Sequence, residues 1–324
     1  MPKEYTHFSI AYTAYNSLKD SYLKKAIEKH MGLFFYGSVA PDTIFYALRA
    51  EGSDKNRISS LLHGKSGVDS LLPVKRLFSI SDFESDRELR DSFIAGYVTH
   101  VMADIHFHPM VFFFSGDNET PVEEVRTGSN MRHYAIESSM DLYMKDEVTV
   151  PLSASLENML MKYSDNVFFL KMLSFIWYND DKHMTDCKKG LRSHIWFQKR
   201  FSSSFWCGLN DFLSFFIPSL KSFRAIFYRK CFEENKNIWN NEYEYQHPVT
   251  GKKAKITVAK LINDTVDKIL GLWKTMESAS EKNMVPDWPE GNNLETGLSV
   301  DRNEPMVYFD ISREPIKRLW STCL

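Results

Sequence analysis

Residues 95–109 read AGYVTHVMADIHFHP, and this stretch decides the fold. His100, Asp104 and His108 stand four residues apart. On a helix, steps of four drift by only about 40°, so these polar side chains share one face over two turns. Around them Ile94, Tyr97, Val98, Val101, Met102, Ile105 and Phe107 leave little surface for water. Imidazoles and a carboxylate on so apolar a helix must be paired or metal-bound to offset their desolvation. Downstream, MRHYAIE (131–137) sets His133 and Glu137 at i and i+4, again on one helical face. Two successive helices that each offer imidazole and carboxylate are how a helical bundle builds an internal metal site. The 34 residues from His100 to His133 hold four of the chain's ten histidines, where an even spread would give about one. His106 breaks the step of four and reads as structural, while His30 and His183 sit in polar contexts and read as surface residues.

The rest of the chain agrees with a helical frame. It has 324 residues, 43% hydrophobic and 25% charged, with a formal net charge of −2. That balance describes a globular protein and argues against a whole-surface affinity for nucleic acid or anionic membrane. Aromatic residues reach 14% while Gly and Pro number only 14 and 12, which favours long packed helices over a turn-rich β sandwich. Helical spacing runs from Ser9 to Met31 and a short helix is expected from Thr43, with another leading into Leu61–His63. Asp86 is the expected N-cap of the helix through Phe93, Tyr97 and Val101, which Pro109 would kink or end. Thr120-Pro121 followed by Glu123-Glu124 reads as N-cap, proline at N1 and first-turn acids, and another helix is expected from Asn130 to Lys145, closed by Pro151. Further helices are expected at about 153–178, 186–207, 219–238 and 255–281. The best strand candidate is VYFDI (307–311). The expected fold class is all-α, with residues 1–285 as a helical metal-binding domain and 286–324 as an extension wrapping it.

The four cysteines lack CxxC spacing and suggest neither a zinc ribbon nor a disulfide framework. With no signal-peptide core near the start and no run of 18 apolar residues, the expectation is a cytoplasmic protein with reduced thiols and no transmembrane segment.

His7, Pro41-Asp42 in the GSVAPD loop, His63, then H-x-x-x-D-x-x-x-H-P and R-H-x-x-x-E, taken in order, resemble the zinc-dependent phospholipase C family. That family is similar in fold to the S1/P1-type nucleases, and the H-x-x-x-D-x-x-x-H-P spacing suits its intracellular, bacterial members. The resemblance covers residues 1–145 and extends more weakly to 247–269. It implies a multi-helix bundle around two or three zinc ions. One zinc would take Asp42, His63, His100 and Asp104, and a second His108, His133 and Glu137. A third would take His7 and share Asp104. The ligand types suit Zn²⁺, though Fe and Mn accept them too. Clustered cations would activate water for attack on a phosphodiester, and Asp42 would hold or deprotonate that water. The implied substrate is an anionic phosphodiester, a phospholipid or related small molecule. Single-strand nucleic acid on the same cluster is the alternative, and a non-catalytic metal-binding helical protein is a third reading.

From Asp186 to Lys230 nine basic residues face two acids, with Phe197, Phe201, Phe205, Trp206, Phe215, Phe216, Phe223 and Phe227 interleaved. This segment reads first as amphipathic helices that bury their aromatics and solvate Lys and Arg. The alternative is a basic, aromatic surface for phospholipid headgroups or single strands. Phe34-Phe35-Tyr36 and Phe112–Phe114 read as core, and His194 and His247 as satisfied structural residues. The stretch NNLETGLSVD (292–301) has no role that its sequence assigns.

Overall fold

The computed structural model describes residues 3–47, 52–302 and 304–324. Met1 and Pro2, the first residues of the stretch read for a leader, lie outside them. The fold is all-α. The first helices are α1 (Glu4–Ser17), α2 (Tyr22–Lys29), α3 (Met31–Gly37), α4 (Thr43–Tyr46), α5 (Gly52–Leu62) and α6 (Leu72–Lys75). Two long helices follow, α7 (Arg87–Ser115) and α8 (Glu123–Glu147), then α9 (Leu156–Leu160), α10 (Val167–Tyr178), α11 (Met184–Phe201) and α12 (Ser204–Phe216). The chain ends through α13 (Lys230–Asn235), α14 (Val258–Glu281) and α15 (Arg318–Ser321).

Helix α7 is the axis of the bundle. Asp86 caps it as expected, its carboxylate accepting from Leu89 N–H at 3.3 Å. It packs against α1, α2, α3, α8 and α14. Its closest approach is to α3. A Cβ on Gly96 would stand 1.9 Å from the Phe34 carbonyl oxygen, and one on Gly37 2.3 Å from that of Phe93. Two glycines therefore let the backbones touch, and the crossing delivers the Ser38 carbonyl beneath His100. Phe34, Phe35 and Tyr36 are fully buried, and Phe112–Phe114 are exposed by 4% or less, so both aromatic runs are core.

Several sequence expectations are corrected. The Ser9–Met31 periodicity is split into α1 and α2. Pro109 neither ends nor breaks α7, which continues to Ser115. The carbonyl that Pro109 cannot bond is that of Ile105, and Gly297 packs against it. Thr120-Pro121 does not open α8; the helix starts at Glu123 after Val122 and runs unbroken through the 130–145 segment. Residues 307–311 form no strand; their N–H groups go instead to the carbonyls of Pro248 and Phe113, from Val307 (2.8 Å), Tyr308 (3.0 Å) and Asp310 (2.7 Å). The strands are β1 (Tyr243–Gln246) and β2 (Lys253–Ile256), an antiparallel hairpin with Tyr243 opposite Ile256 and Gln246 opposite Lys253. Their alternation, YEYQ and KAKI around a Pro-Val-Thr-Gly turn, was the available signal.

The thiol expectation also fails. Cys231 at the start of α13 pairs with Cys323 as a disulfide, with Cα atoms 5.5 Å apart across 92 residues, while Cys187 and Cys207 are free. The pairing contradicts the expected reduced thiols and counts against the reducing compartment that went with them. Among the described residues no helix is long and apolar enough to cross a membrane.

Candidate metal centre

All eight side chains singled out from the sequence converge in one buried site. His100, Asp104 and His108 descend one face of α7, each 0% exposed. His133 and Glu137 come from the facing side of α8, His7 from α1, Asp42 from the turn before α4, and His63 from the end of α5. Asp104 is the hub. Its Oδ1 lies 3.4 Å from His7 Nε2 and 3.8 Å from His108 Nε2, and its Oδ2 lies 3.2 Å from His100 Nε2. Asp42 Oδ1 reaches His63 Nε2 at 3.2 Å and His100 Nε2 at 3.7 Å. His133 Nε2 and Glu137 Oε1 are 2.7 Å apart, and the rings of His108 and His133 are 5.8 Å apart. Three groups of donor atoms, each within 4.8 Å of one another, result: His7–Asp42–His100, His63–His100–Asp104 and His108–His133–Glu137.

Backbone carbonyls orient the rings. His100 Nδ1 donates to Ser38 O (3.0 Å), His63 Nδ1 to Ser59 O (2.8 Å) and His108 Nδ1 to Leu294 O (2.5 Å). A carbonyl only accepts, so each Nδ1 carries the proton and each Nε2 lone pair faces the site. The Leu294 contact gives the 292–301 stretch its role: Leu294 N–H also donates to His63 O at 2.9 Å, so one residue braces two ligands. His247 Nε2 holds the same loop through Thr296 O at 2.8 Å. Sequence reasoning could not find these supports, because a carbonyl belongs to every residue.

The donor set fits metal. Both nitrogens of His7, Nε2 of His100 and His108, and both oxygens of Asp104 are buried without an aligned hydrogen bond. Distances near 3.2–3.8 Å bring these atoms together without bond geometry, an arrangement costly for a protein to keep unless a cation sits among them. Burial pushes His7 and His108 well below the usual imidazole range. Burial also opposes charge on Asp104, but His108 and His100 hold its carboxyl well below the usual carboxylate range. Neutral imidazole and ionised carboxylate are the ligand-competent forms. His100 differs: burial lowers it, yet Asp104 and Asp42 together raise it, so the position between those carboxylates favours a positive charge.

Around the centre lies a buried polar network. His194 Nε2 donates to Glu4 Oε1 (3.2 Å), its Nδ1 meets Thr43 Oγ1 (3.0 Å), and Thr43 meets the Tyr36 hydroxyl (3.1 Å). His194 is thus a satisfied structural residue that ties α11 to α1 and to the turn carrying Asp42. Asp141 on α8 caps α1 by accepting from Tyr5 N–H (3.1 Å) and Thr6 N–H (2.8 Å), which fixes the backbone immediately before His7. His106 points away from the ligands and donates to Met102 O. His183 and His30, both read as surface residues, are each part-exposed: His183 stacks on Tyr178, and His30 bonds the Tyr163 hydroxyl at 3.2 Å.

Exposure rises from 0% at His100, Asp104 and His108 to 7% at Asp42 and His133, so the site opens along that edge. No curated protein and no solved structure matches the chain. The sequence profile described as zinc dependent phospholipase C matches residues 6–190, more than half the chain. That span contains every one of the eight converging ligands and stops short of the 247–269 stretch. With its ligands in order along the chain and gathered around Asp104, this all-helical, metal-dependent hydrolase belongs to the zinc dependent phospholipase C family.

Proposed function

We propose that the protein hydrolyses the phosphodiester of a phospholipid at the bond between phosphorus and the glycerol oxygen, with two or three zinc ions held by the eight ligands. The observation that carries this is the buried convergence of unpartnered donor atoms on Asp104 inside the family-matched span. His100, Asp104, His63 and Asp42 hold one ion, His108, His133 and Glu137 a second, and His7 with Asp104 a third. Bound zinc supplies Lewis-acid activation of water and charge neutralisation at the phosphate.

The chain's own residues do the rest. Ser38, Ser59 and Leu294 fix the ring orientations before substrate arrives, so no reorganisation is needed at reaction. Asp42 is the most exposed of the three acids and lies on the open edge, where it accepts the proton of the attacking water. The water oxygen bonds to phosphorus, the bond from phosphorus to the glycerol oxygen breaks, and that oxygen leaves with the proton that Asp42 took from water.

The test is turnover of a choline phosphodiester and of single-stranded DNA by one zinc-loaded preparation. Hydrolysis of the choline ester is expected, lost in His100→Ala and reduced in Asp42→Asn. Cleavage of neither substrate by fully metallated protein would overturn the proposal.

A further inference from the structure

Helix α12 is turned inside out. Phe205, Phe212 and Phe216 are seven and eleven residues apart, which puts them within about 40° on one helical face. Gly208 and Leu209 fill the gap between them and Phe215 borders it, giving the i, i+3, i+4, i+7 pattern of a helix built to bury that face. The face is open instead. Phe205, Phe212, Phe215 and Phe216 are exposed by 69, 63, 83 and 64%, and Ser214 is the helix's buried residue. A Cβ placed on Gly208 would meet nothing within 4 Å. The expectation of inward packing is therefore overturned for Phe205, Phe215 and Phe216, whereas Phe201 is buried as expected. The apolar surface continues into Ile217, Phe223 and, on α11, Trp196.

Its surroundings are cationic. Residues 199–230 contain six Lys and Arg against one acid, Asp211. Arg224 and Arg229 take Asp211 at 3.1 and 2.5 Å. Lys221 is exposed, and the Lys230 side chain, 91% exposed, meets Glu234 at 3.4 Å on the next turn of its own helix. Arg200 stacks 3.4 Å over the Trp196 ring, an amphipathic pairing suited to the boundary between apolar and wet phases.

The surface also reaches the metal centre. Phe223 stacks on Tyr134 with ring centres 6.2 Å apart, and Tyr134 meets His133 at the same distance. At another ligand, exposed Phe45 lies 5.1 Å from the His63 ring.

We infer that the aromatic face of α12, with Lys221 and Lys230 beside it, docks the protein on a phospholipid bilayer that carries anionic headgroups. An apolar helical stripe flanked by cations is the pattern of a helix that lies in the membrane interface. The charge excess complements an anionic leaflet. The same excess disfavours a second copy, because a two-fold contact would set the positive rim against itself. Docking there would present bilayer lipids to the edge of the site marked by His133. The catalytic meaning of this surface rests on the proposed lipid substrate, but the docking itself does not.

The experiment is co-sedimentation of the full chain with phosphatidylcholine vesicles, with and without phosphatidylserine, run beside turnover of a soluble short-chain choline phosphodiester. Wild type is expected to bind the anionic vesicles, more weakly as salt rises. Phe212→Ser with Phe215→Ser should weaken binding about tenfold or more while soluble-substrate turnover stays unchanged. Lys221→Glu should weaken it less, chiefly at low salt. Vesicle binding that these variants lose would uphold the docking face even if no phosphodiester is hydrolysed, in which case the phospholipase reading alone falls. Failure of wild type to bind vesicles, or equal binding by the variants, would overturn it. So would a wild-type dimer, or single-stranded DNA binding in place of vesicle binding, that Phe212→Ser abolishes.

Discussion

The metal centre and helix α12 break the same rule in opposite directions. Around Asp104, five histidines and three carboxylates are exposed by 7% or less; on α12, four phenylalanines are exposed by 63–83%. Buried polar groups cost several kcal/mol unless matched, and exposed apolar stripes gain nothing from water. Places where local rules fail are where a fold carries function, and here the failures are complementary. One region needs a cation to complete it. The other needs an apolar, anionic surface.

Replacing the hub should break the first region most severely. Asp104→Ala is expected to lower bound metal and cut turnover by about a thousandfold or more, because the two proposed ions that share it lose their bridge. Retained metal content by elemental analysis would show that Asp104 is no hub. Reducing Cys231–Cys323 should lower unfolding stability by about 3–5 kcal/mol in denaturant titration with metal content unchanged. No difference between reduced and oxidised protein would contradict that link.

Asp141 sharpens the comparison, since it is a buried acid satisfied by protein groups alone. Besides the two N–H groups of α1 it accepts from Thr6 Oγ1 (2.6 Å) and the Tyr228 hydroxyl (2.8 Å). Burial, and then Glu4, still push its carboxyl up to about 6. The folded value lies above the unfolded value of about 3.9, so its stabilisation is full below pH 4 and lost as pH rises to 6. About 3 kcal/mol of unfolding stability should disappear across that window and the slope should flatten in Asp141→Asn. An identical slope in the variant would assign the titration elsewhere. Gly297→Ala probes the brace on His108. Gly297 has φ +67° and its Cβ would stand 2.5 Å from Ile105 O, so the loop holding Leu294 must shift. A loss of about 1–3 kcal/mol and about tenfold weaker metal retention in chelator competition are expected. The smallest effect falls on α12: Phe212→Ser and Phe215→Ser should change unfolding stability by no more than about 0.5 kcal/mol each. A cost of several kcal/mol would mean that the face is packed, and the comparison would collapse.

The two regions were not equally legible. Ligand spacing on α7 and α8 was visible because i, i+4 placement survives in a single chain, and the resemblance supplied His7, Asp42 and His63. The carbonyls of Ser38, Ser59 and Leu294 carry no side-chain signature, and Cys231 and Cys323 are 92 residues apart with no spacing to betray them. The periodicity of α12 was readable, but periodicity defines a face without saying whether that face looks inward. Pro109 misled for a related reason. Its cost depends on what meets the freed Ile105 carbonyl, and that partner is almost two hundred residues away in Gly297.

The most direct test of the metal centre is elemental mass spectrometry on protein purified without added metal, beside the His100→Ala, His133→Ala double variant. Two or three zinc ions per chain, lost in the variant, are predicted. No metal as purified and no uptake on adding zinc would contradict the account at its root.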